Sequence, residues 1–166
     1  MVTLQLLNFV RLSISILLLL GLFSSANASE EPIGFVADNV VVKQNDGSLF
    51  ATGNVKLKQG NSTLRADEVT YYRKQNKAIA RGNVIHTDAV GTVTYANIME
   101  LDTEFSHILA ETIISKFANG EWIAADDADR IAGDKGVFNN SRFTPCKCNF
   151  VNGEQPLWDI KASQSV

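Results

Sequence analysis

An antiparallel all-β domain is the expected product of this 166-residue chain. A strand–turn–strand pattern occurs twice at a constant offset of 29 residues. Its first copy is Phe35-Val36-Ala37-Asp38-Asn39-Val40 followed by Ala51-Thr52-Gly53-Asn54-Val55. Its second is Leu64-Arg65-Ala66-Asp67-Glu68-Val69 followed by Ala80-Arg81-Gly82-Asn83-Val84. A repeat of this period marks stacked supersecondary units, each too thin to bury its apolar face alone. Short β-branched and aromatic runs at near-even spacing, separated by turn residues, carry the same reading along the rest of the chain.

The elements follow in order. Residues 1–28 hold Arg11, an apolar run from Leu12 to Phe23 and then Ala26-Asn27-Ala28, which reads as a cleaved secretory signal peptide. An uncleaved N-terminal anchor is the other reading, and the run is short for a bilayer. Ile33–Lys43 is the first strand segment and ends at the turn Asn45-Asp46-Gly47. Leu49–Lys58, Ser62–Arg73 and Lys77–Asp88 come next, divided by Gln59-Gly60-Asn61 and Lys74-Gln75-Asn76. Thr92–Asp102 and Phe105–Phe117 follow, the second being the least distinct, because residues 103–116 also fit a helical pattern. Asn119-Gly120 leads into Trp122–Ile131, and Asp134-Lys135-Gly136 into Val137–Phe143.

Alternation within the repeat predicts more. Phe35 and Ala37 share one parity while Val40 and Val42 have the other, and Leu64 and Ala66 stand against Val69 and Tyr71 in the same way. A strand has period two, so the slip predicts a bulge or kink at Asp38 and Asp67. Kinks at equal positions in neighbouring strands would fold the sheet about a common line into a V. Strands partly buried on both faces would also lose clean alternation. In the partner strands Ala51, Gly53, Val55 and Leu57 share a face, as do Ala80, Gly82 and Val84. These small residues either let the two sheet halves pack tightly or leave an apolar groove.

Charge sets further bounds. Removing the leader, with one basic residue and no acidic one, takes the net charge from −3 to −4. A mildly acidic, mixed-sign surface lacks the basic stripe that nucleic acid requires. A secretory leader implies an extracytoplasmic compartment, where disulfides persist.

The A-D-x-V and A-x-G-N-V elements resemble the domain shared by the lipopolysaccharide transport proteins LptA, LptC and LptD, across Ile33–Phe143. The segment Phe143-Thr144-Pro145-Cys146-Lys147-Cys148, then Pro156-Leu157-Trp158-Asp159-Ile160, resembles the LptD branch, as does Tyr95-Ala96-Asn97-Ile98-Met99-Glu100-Leu101. The resemblance implies a V-shaped, taco-like β-jellyroll over residues 29–143. Its apolar interior would hold the acyl chains of lipopolysaccharide, with Phe35, Ala37, Val55, Leu57, Leu64, Ala66 and Val84 as lining candidates. It further implies docking to LptA by edge-strand addition, and delivery of the lipid with the lipoprotein LptE through an outer-membrane barrel. No cofactor is implied. The protein is then periplasmic and associated with the outer membrane. Residues 144–166 read as a Cys-containing linker toward such a barrel, and no series of membrane strands follows in this sequence. A fragment, a split product and a free-standing LptA-like bridge protein are the expected alternatives.

Cys146 and Cys148 are the disulfide candidates. They are too close in an extended chain for an unstrained bond to each other. A bond outside this chain, a strained exchanging pair and a metal site compete, the last without a nearby His or third Cys. Cys146 matches the family's domain-closing Cys, although the early Cys of many LptD chains is missing, so the family's disulfide scheme does not carry over whole. Asp126-Asp127-Ala128-Asp129 with Asp134 lacks the order of a calcium loop and reads as solvated. His86 and His107 read as strand-surface or edge residues without a carboxylate beside them. No nucleophile elbow, P-loop or acid–base carboxylate pair is present, so no enzyme is expected.

Overall fold

A computed structural model describes residues 33–102, 105–131 and 136–166. The leader and Asp134 lie outside the described residues. Ten strands form one antiparallel sheet: β1 (Gly34–Val36), β2 (Asn39–Val42), β3 (Leu49–Gln59), β4 (Ser62–Tyr72), β5 (Lys77–Thr87), β6 (Val93–Asp102), β7 (His107–Lys116), β8 (Trp122–Ile131), β9 (Gly136–Thr144) and β10 (Ile160–Ser165). From β3 to β10 each strand pairs with its neighbour in sequence, while β1 and β2 both pair with β3. The sheet is open, with β1 and β2 along one edge and β10 along the other.

The expected first strand is two strands, broken at Ala37-Asp38, where the parity slip falls. In β4 Ala66 and Val69 are buried while Asp67 and Glu68 between them are exposed. Ala125 and Ala128 of β8 repeat this around Asp126 and Asp127. The extra residues of the bulges, however, belong to the Gly-Asn strands and not to the Asp strands. Thr52 pairs with Glu68 and Val55 with Ala66, so Gly53 and Asn54 stand opposite Asp67 alone. Between β4 and β5 the register shifts again at Gly82-Asn83. Positive φ at Gly53 and Asn54 (77° and 48°) and at Gly82 and Asn83 (72° and 47°) makes the turn. Thr112 in β7 and Asn140 in β9 continue the line at 53° and 49°.

Side chains pin that line. Asn54 Nδ2 donates to Asp38 Oδ2 at 2.9 Å and Asn83 Nδ2 to Asp67 Oδ2 at 2.8 Å. Asn140 Nδ2 donates to Asp126 Oδ2 at 2.8 Å. The repeated Asp and Gly-Asn are thus the two halves of one hinge. Its effect is large. Leu49 and Leu57 sit eight residues apart on β3, which is about 26 Å in a straight strand. Both line the same cavity, so the strand doubles over between them. The sheet therefore has two arms facing each other across a core of Val55, Leu64, Val69, Val84, Met99 and Ile113.

Beyond β9 the chain turns back. Trp122 on the outer face of β8 packs against Phe150 with ring centroids 6.0 Å apart. Thr144 Oγ1 donates to the Trp158 carbonyl at 2.8 Å, and Arg142 pairs with Asp159. Ile160–Ser165 then joins β9 as the tenth strand. A six-residue strand of Ile-Lys-Ala-Ser-Gln-Ser carries no strong β signal, so the sequence shows only a linker there. Its pairing with β9 supplies the order.

Candidate functional site

Between the arms runs an apolar interior that changes width along the sheet. At the β1 side a cavity of about 280 Å³ is lined by Phe35, Leu49, Leu57, Tyr71, Leu101 and Phe105, among others. Midway, around His86, Met99, Ile113 and Phe138, only about 20 Å³ is free. Toward β10 the space widens to about 640 Å³ against Phe117, Ile123, Phe138, Phe143 and Val166. The narrowing has a structural cause. Arg130 on one arm pairs at 3.0 Å with Asp88 at the hairpin end of the other. Beside this clasp the His86 ring stacks on Phe105, centroids 5.7 Å apart.

His86 corrects the sequence reading. It is 2% exposed, not a surface residue. It lies two residues from Val84 on the inward parity of β5, and that alternation was available in the sequence. Burial pushes its pKa down to about 4, with Asp88 opposing the shift and Arg130 adding to it. Nε2 has no hydrogen-bond partner. A neutral imidazole is the form that fits such a site. His107 is an exposed strand residue, as expected, but it does have a carboxylate beside it, because Asp129 Oδ1 lies 2.8 Å from its Nε2 across β7 and β8. The pair is exposed and adds little stability. The acidic run is structural: Asp126 and Asp127 accept from Asn140 and Asn139.

The lining candidates divide into two groups. Phe35 and Leu57 reach the 280 Å³ cavity. Val55, Leu64, Ala66 and Val84 are packed in the core between the arms, and the half-buried Ala37 packs against it. Tyr71 lines the cavity as well, and so do Leu101 and Phe105, which the sequence reading did not single out as lining candidates; Phe105 lies between strands, where no alternation signals its direction. Cys146 and Cys148 are both free and half-buried. The Thr144 hydroxyl, with the backbone at Trp158 and Leu157, holds the Cys146 thiol below its ordinary value.

An open antiparallel sheet, folded along an Asp/Gly-Asn line over an apolar trough, defines a protein of the β-jellyroll class. The family model described as "LptA/(LptD N-terminal domain) LPS transport protein" matches residues 35–138, and the chain belongs to that family. It is 30% identical over 155 residues to the LPS-assembly protein LptD of Sodalis glossinidius, covering 86% of this chain and 18% of the relative. To LptD of Paracidovorax citrulli it is 29% identical over 129 residues, covering 77% and 16%. The chain thus spans less than a fifth of the length of these curated relatives. Among solved structures it is similar to LptH, the LptA homologous periplasmic component of the lipopolysaccharide transport device of Pseudomonas aeruginosa. That likeness has a TM-score of 0.55 at 16% identity, over 61% of this chain and 76% of that one, and concerns the fold.

Proposed function

We propose that this domain is the periplasmic conduit of an LptD-type lipopolysaccharide assembly protein. The observation that carries the reading is the trough, open in width at both ends of the sheet and lined by apolar side chains. An acyl chain moving from water into it gains about 0.8 kcal/mol per buried methylene. The chain enters the periplasm through its leader, which is cleaved, and acts at the outer membrane. The domain receives lipopolysaccharide from LptA and passes it to an outer-membrane barrel with LptE. Unpaired sheet edges bind partners by strand addition, and the β1–β2 edge exposes Val36, Val40, Val41 and Val42. No catalytic step is part of the role.

A photo-crosslinking residue at Phe35 or Leu57 is expected to form adducts with lipopolysaccharide in cells, and one at the exposed Lys74 to form none. Adducts at the packed Val55, Leu64 and Val84 should be weaker than at Leu57. Equal yields at Lys74 and Leu57 would sink the trough model.

The cysteines serve the same reading through a disulfide that ties Cys146 or Cys148 to the barrel. Replacing both by Ser is expected to reduce assembled outer-membrane complex on non-reducing gels several-fold. Unchanged assembly would instead favour a bridge protein that acts without its cysteines.

A further inference from the structure

The β7–β8 hairpin is a wall one strand layer thick between two different cavities. Its Phe117, Glu121 and Ile123 face the wide apolar end of the trough. Its Lys116, Gly120 and Trp122 line a separate pocket of about 320 Å³ on the outer face, roofed by Lys147, Asn149 and neighbouring residues of the tail. Alternate residues point to opposite faces of a strand, and both cavities reach the hairpin tip, where Ala118 and Asn119 line the first and Gly120 the second.

The outer pocket differs in character from the trough. Two lysines enter it, and among the described residues neither Lys116 nor Lys147 has a carboxylate at ion-pair distance. That leaves two uncompensated cations together in a chain whose net charge is −3. Glu121 faces the other cavity. The Glu154 carboxylate is engaged by the Asn149 backbone N–H at 2.7 Å. Lys116 is also positioned, with Nζ 5.4 Å from the centre of the Trp122 ring. The Trp122 indole N–H is buried and has no acceptor, an uncommon state for a buried donor. Tyr95 and Asn152 add hydrogen-bonding side chains to the lining.

We propose that this outer pocket binds the anionic head, phosphate or carboxylate on a saccharide, of an amphiphile whose acyl chains occupy the apolar space behind the hairpin. The proposal rests on the conduit reading and adds a second site to it. The trough selects chains by their apolar surface, and the pocket selects the charge they carry. Lys116 and Lys147 contact the anion, and Trp122 gains the acceptor it lacks.

The test uses the intact chain with Trp158→Phe, which leaves Trp122 as the sole tryptophan reporter. Fluorescence titrations compare diphosphorylated lipid A, dephosphorylated lipid A with the same acyl chains, and inorganic phosphate. The phosphorylated lipid is expected to bind at least about tenfold more tightly and to shift Trp122 emission, one tenfold step corresponding to about 1.4 kcal/mol. Lys116→Gln with Lys147→Gln should erase that preference while leaving affinity for the dephosphorylated lipid, and the unfolding midpoint, unchanged. Equal affinity for the two lipids, or a preference that survives the double substitution, overturns the pocket and leaves the trough standing. Failure of both lipids to bind overturns the conduit reading and the pocket with it. Inorganic phosphate saturating the signal at lipid-like affinity would show an anion site independent of the trough, and would overturn the amphiphile proposal.

Discussion

Gly82→Val is expected to lower unfolding free energy by about 3–5 kcal/mol, near the upper end for a single substitution. Two causes add. Gly82 has φ of 72°, a region that costs a non-glycine residue about 1–3 kcal/mol. A Cβ there would also lie 2.5 Å from Asp67 Oδ2 and 3.0 Å from Asp67 Cβ. The side chain that must move is the one that accepts from Asn83, so relieving the clash breaks the hinge bond. Gly53 repeats the arrangement against Asp38, with a Cβ 2.4 Å from Oδ2. Gly47 separates the two causes, since its φ is 70° and a Cβ there would meet nothing within 4 Å. Gly47→Val should therefore show the backbone cost alone. Urea denaturation of Gly82→Val, Gly47→Val and Gly82→Val with Asp67→Ala measures the difference. The third variant is expected to recover about 1–2 kcal/mol in the double-mutant cycle. A Gly82→Val loss no larger than that of Gly47→Val would show that the Asp–Gly contact does not hold the fold line.

Acidification from about pH 6.5 to pH 4 is expected to cost the domain about 3 kcal/mol through His86 alone. The sign follows from the direction of the shift. His86 is held down to about 4 in the folded chain, and the unfolded imidazole takes its proton near 6.5. Over that interval the unfolded state binds more protons, so the stability present above pH 6.5 falls as pH falls toward 4. Each pKa unit corresponds to about 1.4 kcal/mol. Asp88 is also lowered, burial opposing the hydrogen bonds from Thr92 and Arg130 that prevail, and its loss falls below the His86 window. Denaturant midpoints at half-unit pH steps should give a slope between pH 6.5 and 4.5 in the native chain and little slope in His86→Phe. The same slope in the variant would refute the assignment to His86.

Much of the fold was legible because the motif is local. Asp38 and Gly53-Asn54, or Asp67 and Gly82-Asn83, lie close enough in sequence to recur as a recognisable offset. The parity slip between Ala66 and Val69 marks the fold line in the sequence itself. The strand that holds the surplus residue was not legible, because parity reports a slip in both partners and φ in neither. The third and fourth hinges were hidden for a different reason. Thr112 has a positive φ without the Gly-Asn signature, and Asn139-Asn140 replaces Gly-Asn in β9. The trough residues Phe35 and Leu57 followed from alternation, whereas Phe105 and the Arg130–Asp88 clasp depend on how two arms meet. The outer pocket combines a hairpin with a tail some thirty residues away, and such a meeting leaves no periodic trace.

The hinge recurs every 29 residues between the first two copies, and each copy contributes one hairpin to a sheet in which neighbours in sequence are neighbours in space. Strands stand about 4.8 Å apart, so one copy adds close to 10 Å of corridor. The length of the trough is therefore set in steps, by counting copies, and gene duplication or loss in a single block changes that length without redrawing the cross-section.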